Sequence, residues 1–264
     1  MREVNTFALA NGEGWNLPVN EFDSFPQFIQ QTVRDELSAG RSKEYYRSRL
    51  KALGFENMDR VLDAGCGTGQ WSVALASLNK RVDAIDVDDD CLRFSALLAS
   101  SGNATNCYVQ KASIASLPFT DNSFDGITCY SVLMLCGKHP IEVFKEFHRV
   151  LKPGGKLYLS VDTWGWYLHL LIDQGILGSQ RYRIPYVFRY FLRTIKHWIT
   201  GREVRFVLTK SFLRGALAKA GFESKHMAHE GGINQNKNSV TVRPAIPKRF
   251  YGFQAIIDVL AIKR

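Results

Sequence analysis

Hydrophobic residues along this chain form two patterns. Some stand in short continuous runs, and others recur at helical intervals over longer stretches. The apolar runs predict strands at 59–64, 81–86, 105–110, 124–130 and 156–161. Helical patterns separate them at 69–78, 89–100 and 140–151, and two more precede them at 27–38 and 42–53. Strands that alternate with helices form a parallel sheet covered on both faces, so the pattern predicts an α/β fold.

The two ends of the chain depart from this alternation. The first 25 residues show no sustained period and are expected to form an extended arm. After Asp162, the stretch 164–201 is dense in aromatic residues and arginines and interrupts the pattern. A helix at 210–220 and strands near 222–228 and 253–262 follow, which brings the expected number of strands to seven.

Charge is divided unevenly along the chain. Residues 1–175 hold 17 Lys and Arg against 21 Asp and Glu, whereas residues 176–264 hold 17 against 4. The net charge of +9 therefore comes entirely from the C-terminal part. This asymmetry predicts either an anionic partner for that part or a solvated basic face.

Composition also bears on the compartment and on metals. The chain has no run of about 18 apolar residues and no charged-then-apolar leader, which predicts a cytoplasmic protein. The five cysteines are odd in number and lack the CxxC spacing of a zinc or redox site. We therefore expect reduced thiols and no metal.

The most specific local signal is a glycine-rich turn after the first predicted strand. Residues 61–69 read VLDAGCGTG, in which Gly65, Gly67 and Gly69 follow Asp63. Glycine lacks a Cβ, so the backbone can adopt positive φ and approach a ligand where the next helix presents free N–H groups. The GxGxG spacing differs from the GxGxxG of dinucleotide-binding enzymes. The motif therefore predicts a nucleoside-bearing ligand and makes NAD the weaker candidate.

Asp86 ends the second predicted strand, 17 residues after Gly69. A carboxylate at this position can accept hydrogen bonds from both hydroxyls of a ribose. Ligands of open α/β sheets bind beyond the carboxyl ends of the strands, so we expect Asp63, Gly65 and Asp86 around one crevice. The alternatives are a helix-capping aspartate and a purely structural turn.

These motifs, together with three further ones, resemble those of class I S-adenosylmethionine-dependent methyltransferases. The further motifs are SLPF at 116–119, FDGI at 124–127 and RVLKPGG at 149–155. The resemblance covers about residues 40–162. It implies S-adenosylmethionine as cofactor and a Rossmann-like fold, with a seven-stranded, mostly parallel sheet and helices on both faces. It also implies an N-terminal helical lid and a cap inserted after strand five.

The resemblance suggests a division of the chain into four parts. We expect an arm and helical lid at 1–54 and a cofactor-binding core at 55–162. A basic aromatic cap at 163–208 and a C-terminal completion of the sheet at 209–264 would follow.

The family's cofactor roles carry over residue by residue. Asp63, Gly65 and Gly67 would surround the methionine part, whereas Asp86 would hold the ribose next to Val87. Ser113 stands where the family commonly has an aspartate that contacts the adenine amino group, and Ile114 would offer its backbone N–H to the ring. The serine is a departure that should weaken adenine recognition, because hydrogen bonds to charged groups are the stronger ones.

Three aromatic and basic residues complete the expected cofactor site. Tyr130 ends the fourth strand, beside the first, so its backbone should lie near the methionine amine and the departing methyl group. Its ring could face the sulfonium or belong to the core. Arg41 and Tyr45 could close over the cofactor carboxylate, with amphipathic packing as the alternative.

Methyl transfer mainly requires positioning and desolvation, and a hydroxyl or amine acceptor can also need a general base. His139 and Asp162 rank first as bases because they follow strands four and five. The expected cap offers apolar surface and arginines, which suits an anionic or amphiphilic small-molecule, glycan or lipid-linked acceptor. A helix near 185–199 could also contact an anionic membrane.

Two alternatives to this function stay open. The charge permits an RNA or protein methyltransferase, but no zinc, RRM-like or helix-turn-helix signature is present, and CYSV at 129–132 replaces an NPPY-type tetrapeptide. Nucleic acid is therefore disfavoured. The chain could also be a catalytically silent cofactor-binding module, against which the intact glycine motif and Asp86 argue.

Overall fold

The computed structural model describes residues 15, 19–136, 138–163, 208–234 and 256–264. It confirms the α/β fold with seven strands. The helices are α1 Val19–Phe22, α2 Gln27–Ser38, α3 Lys43–Ala52, α4 Gln70–Ala76, α5 Asp89–Ser101, α6 Pro140–Val150 and α7 Lys210–Lys219. The strands are β1 Val61–Ala64, β2 Val82–Asp86, β3 Cys107–Lys111, β4 Phe124–Tyr130, β5 Leu151–Asp162, β6 Phe222–His229 and β7 Ile256–Lys263.

The sheet has the strand order β3-β2-β1-β4-β5-β7-β6. Strands β1 to β5 pair in parallel, and β7 runs antiparallel to both β5 and β6. The chain moves outward from β1 to β3 and then returns to place β4 on the other side of β1. This reversal opens a crevice at the carboxyl ends of β1 and β4, which is where open α/β sheets bind ligands.

Helices cover both faces of the sheet and create two hydrophobic cores. Alternate side chains of β1 pack into the two cores, because successive side chains of a strand point to opposite faces of the sheet. Leu62 and Ala64 join the core under α6 and α7, whereas Val61 joins the core under α2 to α5. The central strands are therefore buried on both faces, and this explains their almost continuous apolar sequence.

Several helix ends lie where the sequence placed them. Helix α2 spans the expected range, and the Ser42 hydroxyl accepts a hydrogen bond from the Tyr45 N–H at 3.2 Å to cap α3. Thr209 caps α7 in the same way, through the Phe212 N–H at 3.1 Å. These caps satisfy N–H groups that have no partner inside a helix.

Other boundaries differ from expectation. Helix α1 forms one turn within the expected arm, and Phe22 and Phe25 are buried against Phe94 of α5. Their irregular spacing gave no periodic signal. Strand β5 begins at Leu151, five residues before the expected start, and passes through the KPGG turn with Gly154 at φ +75°.

Apart from its end residues Thr163 and Leu208, the expected cap, including the helix near 185–199, lies outside the described residues. In the part of the chain that the structure describes, none of the helices combines the length and the apolar character needed to cross a membrane.

Candidate functional site

The glycine motif forms the loop between β1 and α4. Gly65, Gly67 and Gly69 have φ values of +82°, +51° and +85°, in the left-handed region that favours glycine. Gly69 is also the N-cap of α4, directly before its first residue Gln70, so the N–H groups of the first helical turn face the crevice at the carboxyl end of β1.

The three glycines are required for different reasons. A Cβ on Gly65 would lie 2.3 Å from a Val132 methyl group, and one on Gly69 would lie 2.5 Å from the Ser95 hydroxyl oxygen. A Cβ on Gly67 would meet no atom within 4 Å. Close packing therefore explains two of the glycines, whereas Gly67 borders open space that a ligand could fill.

Asp86 lies at the carboxyl end of β2 and faces the glycine loop. Its carboxylate accepts hydrogen bonds from the N–H groups of Gly67 at 2.9 Å, Val87 at 2.7 Å and Asp88 at 3.0 Å. These three donors fix the orientation of the carboxylate beside the open space. Val87 is 61% exposed, which is unusual for an apolar residue and leaves its side chain available to a ligand at this edge.

The expected adenine contacts follow β3. The Ser113 hydroxyl accepts a hydrogen bond from the Ala115 N–H at 3.2 Å, and Ser113 forms an isolated bridge with Ser116. The Ile114 side chain is buried in the core. The Ile114 side chain therefore serves packing, and the role of its backbone N–H toward the adenine ring stays a prediction.

Asp63 is buried at the end of β1 and ties three elements together. It accepts hydrogen bonds from the Ser72 hydroxyl of α4 at 2.5 Å and the Thr128 hydroxyl of β4 at 2.9 Å. Burial raises the pKa of Asp63 to about 6, although these two hydrogen bonds favour the ionised form. Asp63 thus holds the glycine loop against its neighbours.

Tyr130 and Arg41 meet at Glu230, which follows β6. The Tyr130 hydroxyl donates to Glu230 at 2.6 Å, and Arg41 donates to Glu230 at 3.2 Å and to Glu36 at 2.9 Å. The Arg41 guanidinium lies 5.7 Å from the centre of the Tyr45 ring. The structure therefore brings together the three expected residues Arg41, Tyr45 and Tyr130.

Trp71, in the first turn of α4, connects this group to the glycine loop. Its ring lies 5.2 Å from Tyr130, 5.3 Å from Tyr46 and 5.7 Å from Tyr158. Tyr130 therefore packs against the helix that begins at the glycine loop.

Two acidic residues of this group were not expected to contact it. Glu36 appeared only within a helix, and Glu230 carried no motif. No local pattern signals their pairing, because Arg41 and Glu230 are 189 residues apart. The sequence shows only that each of these acidic residues lies near the end of a predicted helix or strand.

The two expected bases lie on different elements: His139 is the N-cap of α6, nine residues after the end of β4, and Asp162 is the last residue of β5. The His139 ring accepts a hydrogen bond from the Ile141 N–H at 3.2 Å and caps α6, and it packs near Phe212. Asp162 ends β5 and accepts a hydrogen bond from the Ser131 hydroxyl at 2.9 Å. Ser131 has a φ of +55°, which is uncommon for serine and is often found at functional sites.

The SLPF and RVLKPGG motifs support each other. Arg149 donates to the carbonyl oxygens of Leu117 at 3.0 Å and Phe119 at 2.7 Å. The Glu146 carboxylate accepts the Leu117 N–H at 3.0 Å and also pairs with Arg149. These motifs stabilise the loop that leads into β4 and supply no reactive group.

Comparisons with known proteins agree with this geometry. Residues 62–159 match the family model described as a methyltransferase domain. A demethylmenaquinone methyltransferase of Listeria welshimeri is 27% identical over 201 residues, which cover 72% of this chain and 82% of that protein. A malonyl-[acyl-carrier protein] O-methyltransferase of Erwinia pyrifoliae is 39% identical over 111 residues, which cover 41% of this chain and 39% of that protein.

A solved structure shows the same fold. The S-adenosylmethionine-dependent methyltransferase from Aquifex aeolicus superposes with a TM-score of 0.53 at 18% identity, covering 81% of this chain and 87% of that one.

Class I methyltransferases have a mixed sheet with this strand order, in which the last strand is antiparallel, together with a glycine loop after β1 and an acid after β2. Residues 62–159 form a methyltransferase domain, and the protein is an S-adenosylmethionine-dependent methyltransferase with this fold. The residues fit the cofactor, because a Cβ on Gly67 would enter the open space that Asp86 faces. Asp86 could hold the ribose there, and the backbone at Gly67 could approach the nucleoside.

Proposed function

We propose that this small-molecule methyltransferase transfers a methyl group to an anionic or amphiphilic acceptor, including a glycan or lipid-linked one. The observation that carries this proposal is the position of the basic charge. β5 ends at Asp162 beside the crevice, and the C-terminal part that follows holds 17 Lys and Arg against 4 Asp and Glu. A cationic, aromatic segment that directly follows β5 in the sequence favours an acceptor with a negative group and an apolar body.

S-adenosylmethionine supplies a methyl group on a positively charged sulfur. The sulfur becomes a neutral thioether when it leaves, so the protein need not protonate it. The protein's residues then have three tasks. They hold the donor at Asp86 and the glycine loop, align the acceptor for in-line displacement, and exclude water. An acceptor hydroxyl or amine must also lose its proton.

We propose that the Asp162 carboxylate accepts the proton that the acceptor hydroxyl or amine loses. Its carboxylate ends β5, the neighbour of β4, and the 2.9 Å hydrogen bond from Ser131 orients it. His139 is the other candidate, but its Nδ1 atom is engaged in capping α6.

Two variants separate these bases. Asp162→Asn should lower kcat by about 100-fold or more with little change in donor affinity, since general bases contribute on that order. His139→Asn keeps a side chain that can cap α6 and should retain most of the activity. The opposite result, full activity in Asp162→Asn and loss in His139→Asn, would move the base to His139.

The acceptor class is tested with arginines of the expected cap. Radiolabelled donor is incubated with a panel of anionic, amphiphilic and neutral acceptors, beginning with those named for the two relatives. With an acceptor that turns over, replacing Arg189 and Arg193 together by Gln should raise its KM and reduce the salt dependence of KM, with donor affinity nearly unchanged.

The matched control removes two charges elsewhere. Arg214 and Lys219 are exposed on α7, and their Gln double variant should leave the KM of the acceptor near the wild-type value. Preference for neutral acceptors, or loss of donor binding in the Arg189 and Arg193 variant, would refute the proposal.

A further inference from the structure

The residues around Arg41 carry more negative than positive charge. One guanidinium donates to two carboxylates, to Glu36 at 2.9 Å and to Glu230 at 3.2 Å. The side chains of Arg41, Glu36 and Glu230 are only 12%, 21% and 8% exposed. Arg41 is the cation that pairs with both acids in the part of the chain that the structure describes. Counted as formal charges, this cluster of one guanidinium and two carboxylates therefore has one negative charge in excess.

The neighbouring ion pair does not offset this charge. Arg49 of α3 pairs with Asp258 of β7, and both side chains are buried. The pair contains one cation and one anion, and Asp258 also accepts the Gly231 N–H at 2.8 Å. Gly231 follows Glu230 directly, so a neutral pair lies beside a cluster with an excess negative charge.

The contacts of Tyr130 place Glu230 at one end of the crevice. Tyr130 ends β4 and donates to Glu230 at 2.6 Å, and its ring packs 5.2 Å from Trp71 at the start of α4. Burial and the charge of Glu230 raise the pKa of Tyr130 well above its usual value, so the hydroxyl stays protonated as the donor.

The sheet order indicates which part of the donor reaches this end. The strands lie in the order β3-β2-β1-β4. With the ribose at Asp86 on β2 and the adenine beyond it toward β3, the methionine part must extend across β1 toward β4. Tyr130 and Glu230 therefore border the part of the crevice that receives the sulfonium.

We propose that Glu230 is a specificity-determining residue that makes the site prefer the charged methyl donor over its neutral product. S-adenosylmethionine carries one positive charge more than S-adenosylhomocysteine, because methyl transfer converts the sulfonium into a thioether. An excess negative charge in a poorly solvated site attracts the donor more than the product. Glu230 would thereby allow the donor to compete with the product for the site after each turnover.

Glu230 would act on the methyl donor, whichever acceptor the protein uses. The test of this role uses binding alone, so it can fail or succeed whatever the acceptor proves to be.

Calorimetric titration of Glu230→Gln with donor and product tests the proposal. Glutamine keeps an oxygen that can accept from Tyr130 and Arg41, but it removes the charge. S-adenosylmethionine should bind about 10-fold more weakly, a change of about 1.4 kcal/mol, whereas the affinity for S-adenosylhomocysteine should change less than about twofold. A donor analogue with a protonated amine in place of the sulfonium should follow S-adenosylmethionine.

Two further variants control for effects on the fold. Glu223→Gln removes a charge from an exposed side chain of β6 and should leave both affinities unchanged. Glu36→Gln removes the same excess charge while the bond between Tyr130 and Glu230 is kept, and it should lower the preference for the donor even if Glu230→Gln melts early. Equal loss of donor and product affinity in both variants, or no change in either, would overturn the proposal.

Discussion

At the scale of single residues, the glycine loop separates the demands of packing from those of binding. Gly65 and Gly69 are held by close contacts with Val132 and Ser95, whereas Gly67 borders open space next to Asp86. The sequence predicted one common role for Gly65 and Gly67. The structure distinguishes the two glycines. A Cβ added at Gly65 would collide with Val132, whereas a Cβ added at Gly67 would enter open space.

Gly67→Ala should therefore leave a folded protein that has lost detectable binding of S-adenosylmethionine. The φ of +51° makes the variant less stable by about 1–2 kcal/mol, the cost of a left-handed alanine. Gly65→Ala, the comparison variant, adds a collision 2.3 Å from Val132 and should lose more stability. Thermal melting and calorimetry measure both effects, and normal binding by Gly67→Ala would refute the account of the loop.

Asp63 gives the stability of the protein a pH dependence with a definite sign. Its pKa in the folded protein is about 6, above the value of about 3.9 in an unfolded chain. Ionisation therefore costs the folded state more than the unfolded state. The free energy of unfolding should fall by about 2–3 kcal/mol as the pH rises from about 4 to about 6. Above that range Asp63 is ionised in both states, so its contribution should stay constant.

The variant Asp63→Asn should remove this dependence. Its Tm should exceed that of the wild type at pH 7 and equal it near pH 4, with donor binding weakened. Asp59→Asn, on an exposed side chain, serves as the control. A wild-type Tm that exceeds the Asp63→Asn value at pH 7 would contradict the assigned pKa direction.

The sequence revealed those site residues that lie in local motifs. Gly67 and Asp86 follow predicted strands, and the rule for ligands of open sheets was enough to bring them together. Glu230 could not be found in this way, because its partners Arg41 and Tyr130 come from distant parts of the chain. Contacts of this kind depend on tertiary packing, which local patterns do not encode.

At the scale of helices and strands, the hydrophobic pattern predicted the type of almost every element that the structure describes. Helix α2 has the expected bounds, and each end of α3 lies within one residue of its expected position. A four-residue helix such as α1 was missed because one turn is too short to show a period. The antiparallel direction of β7 also could not be predicted, since its apolar run would suit either orientation.

Packing of α3 explains how the expected N-terminal lid joins the core. Arg49 on α3 reaches Asp258 on β7 and donates to the Ile233 carbonyl oxygen at 2.6 Å. Removing either partner of this buried ion pair would destabilise the fold, because the remaining charge would be buried without a counterion. The contact holds α3 against the sheet beside the carboxyl ends of the strands. The division of the chain at residue 54 stays a prediction.

At the scale of the whole molecule, the fold places its chemistry at one edge of the sheet. The glycine loop, Asp86, Tyr130 and Asp162 all stand at the carboxyl ends of parallel strands. The basic C-terminal charge follows the last of these strands in the sequence, which supports the proposal that the core recognises the donor and the part of the chain beyond β5 recognises the acceptor. The central claim is that the edge formed by β1 and β2 binds S-adenosylmethionine.

Titration of S-adenosylmethionine into the wild-type chain and into Asp86→Ala tests this claim most directly. Loss of the carboxylate removes the acceptor for the ribose hydroxyls and frees the N–H groups that it now orients at Gly67 and Val87. The affinity should fall by about 2–3 kcal/mol, which is about 30- to 150-fold, whereas the exposed control Asp89→Ala should bind as the wild type does. Unchanged affinity in Asp86→Ala would contradict the account.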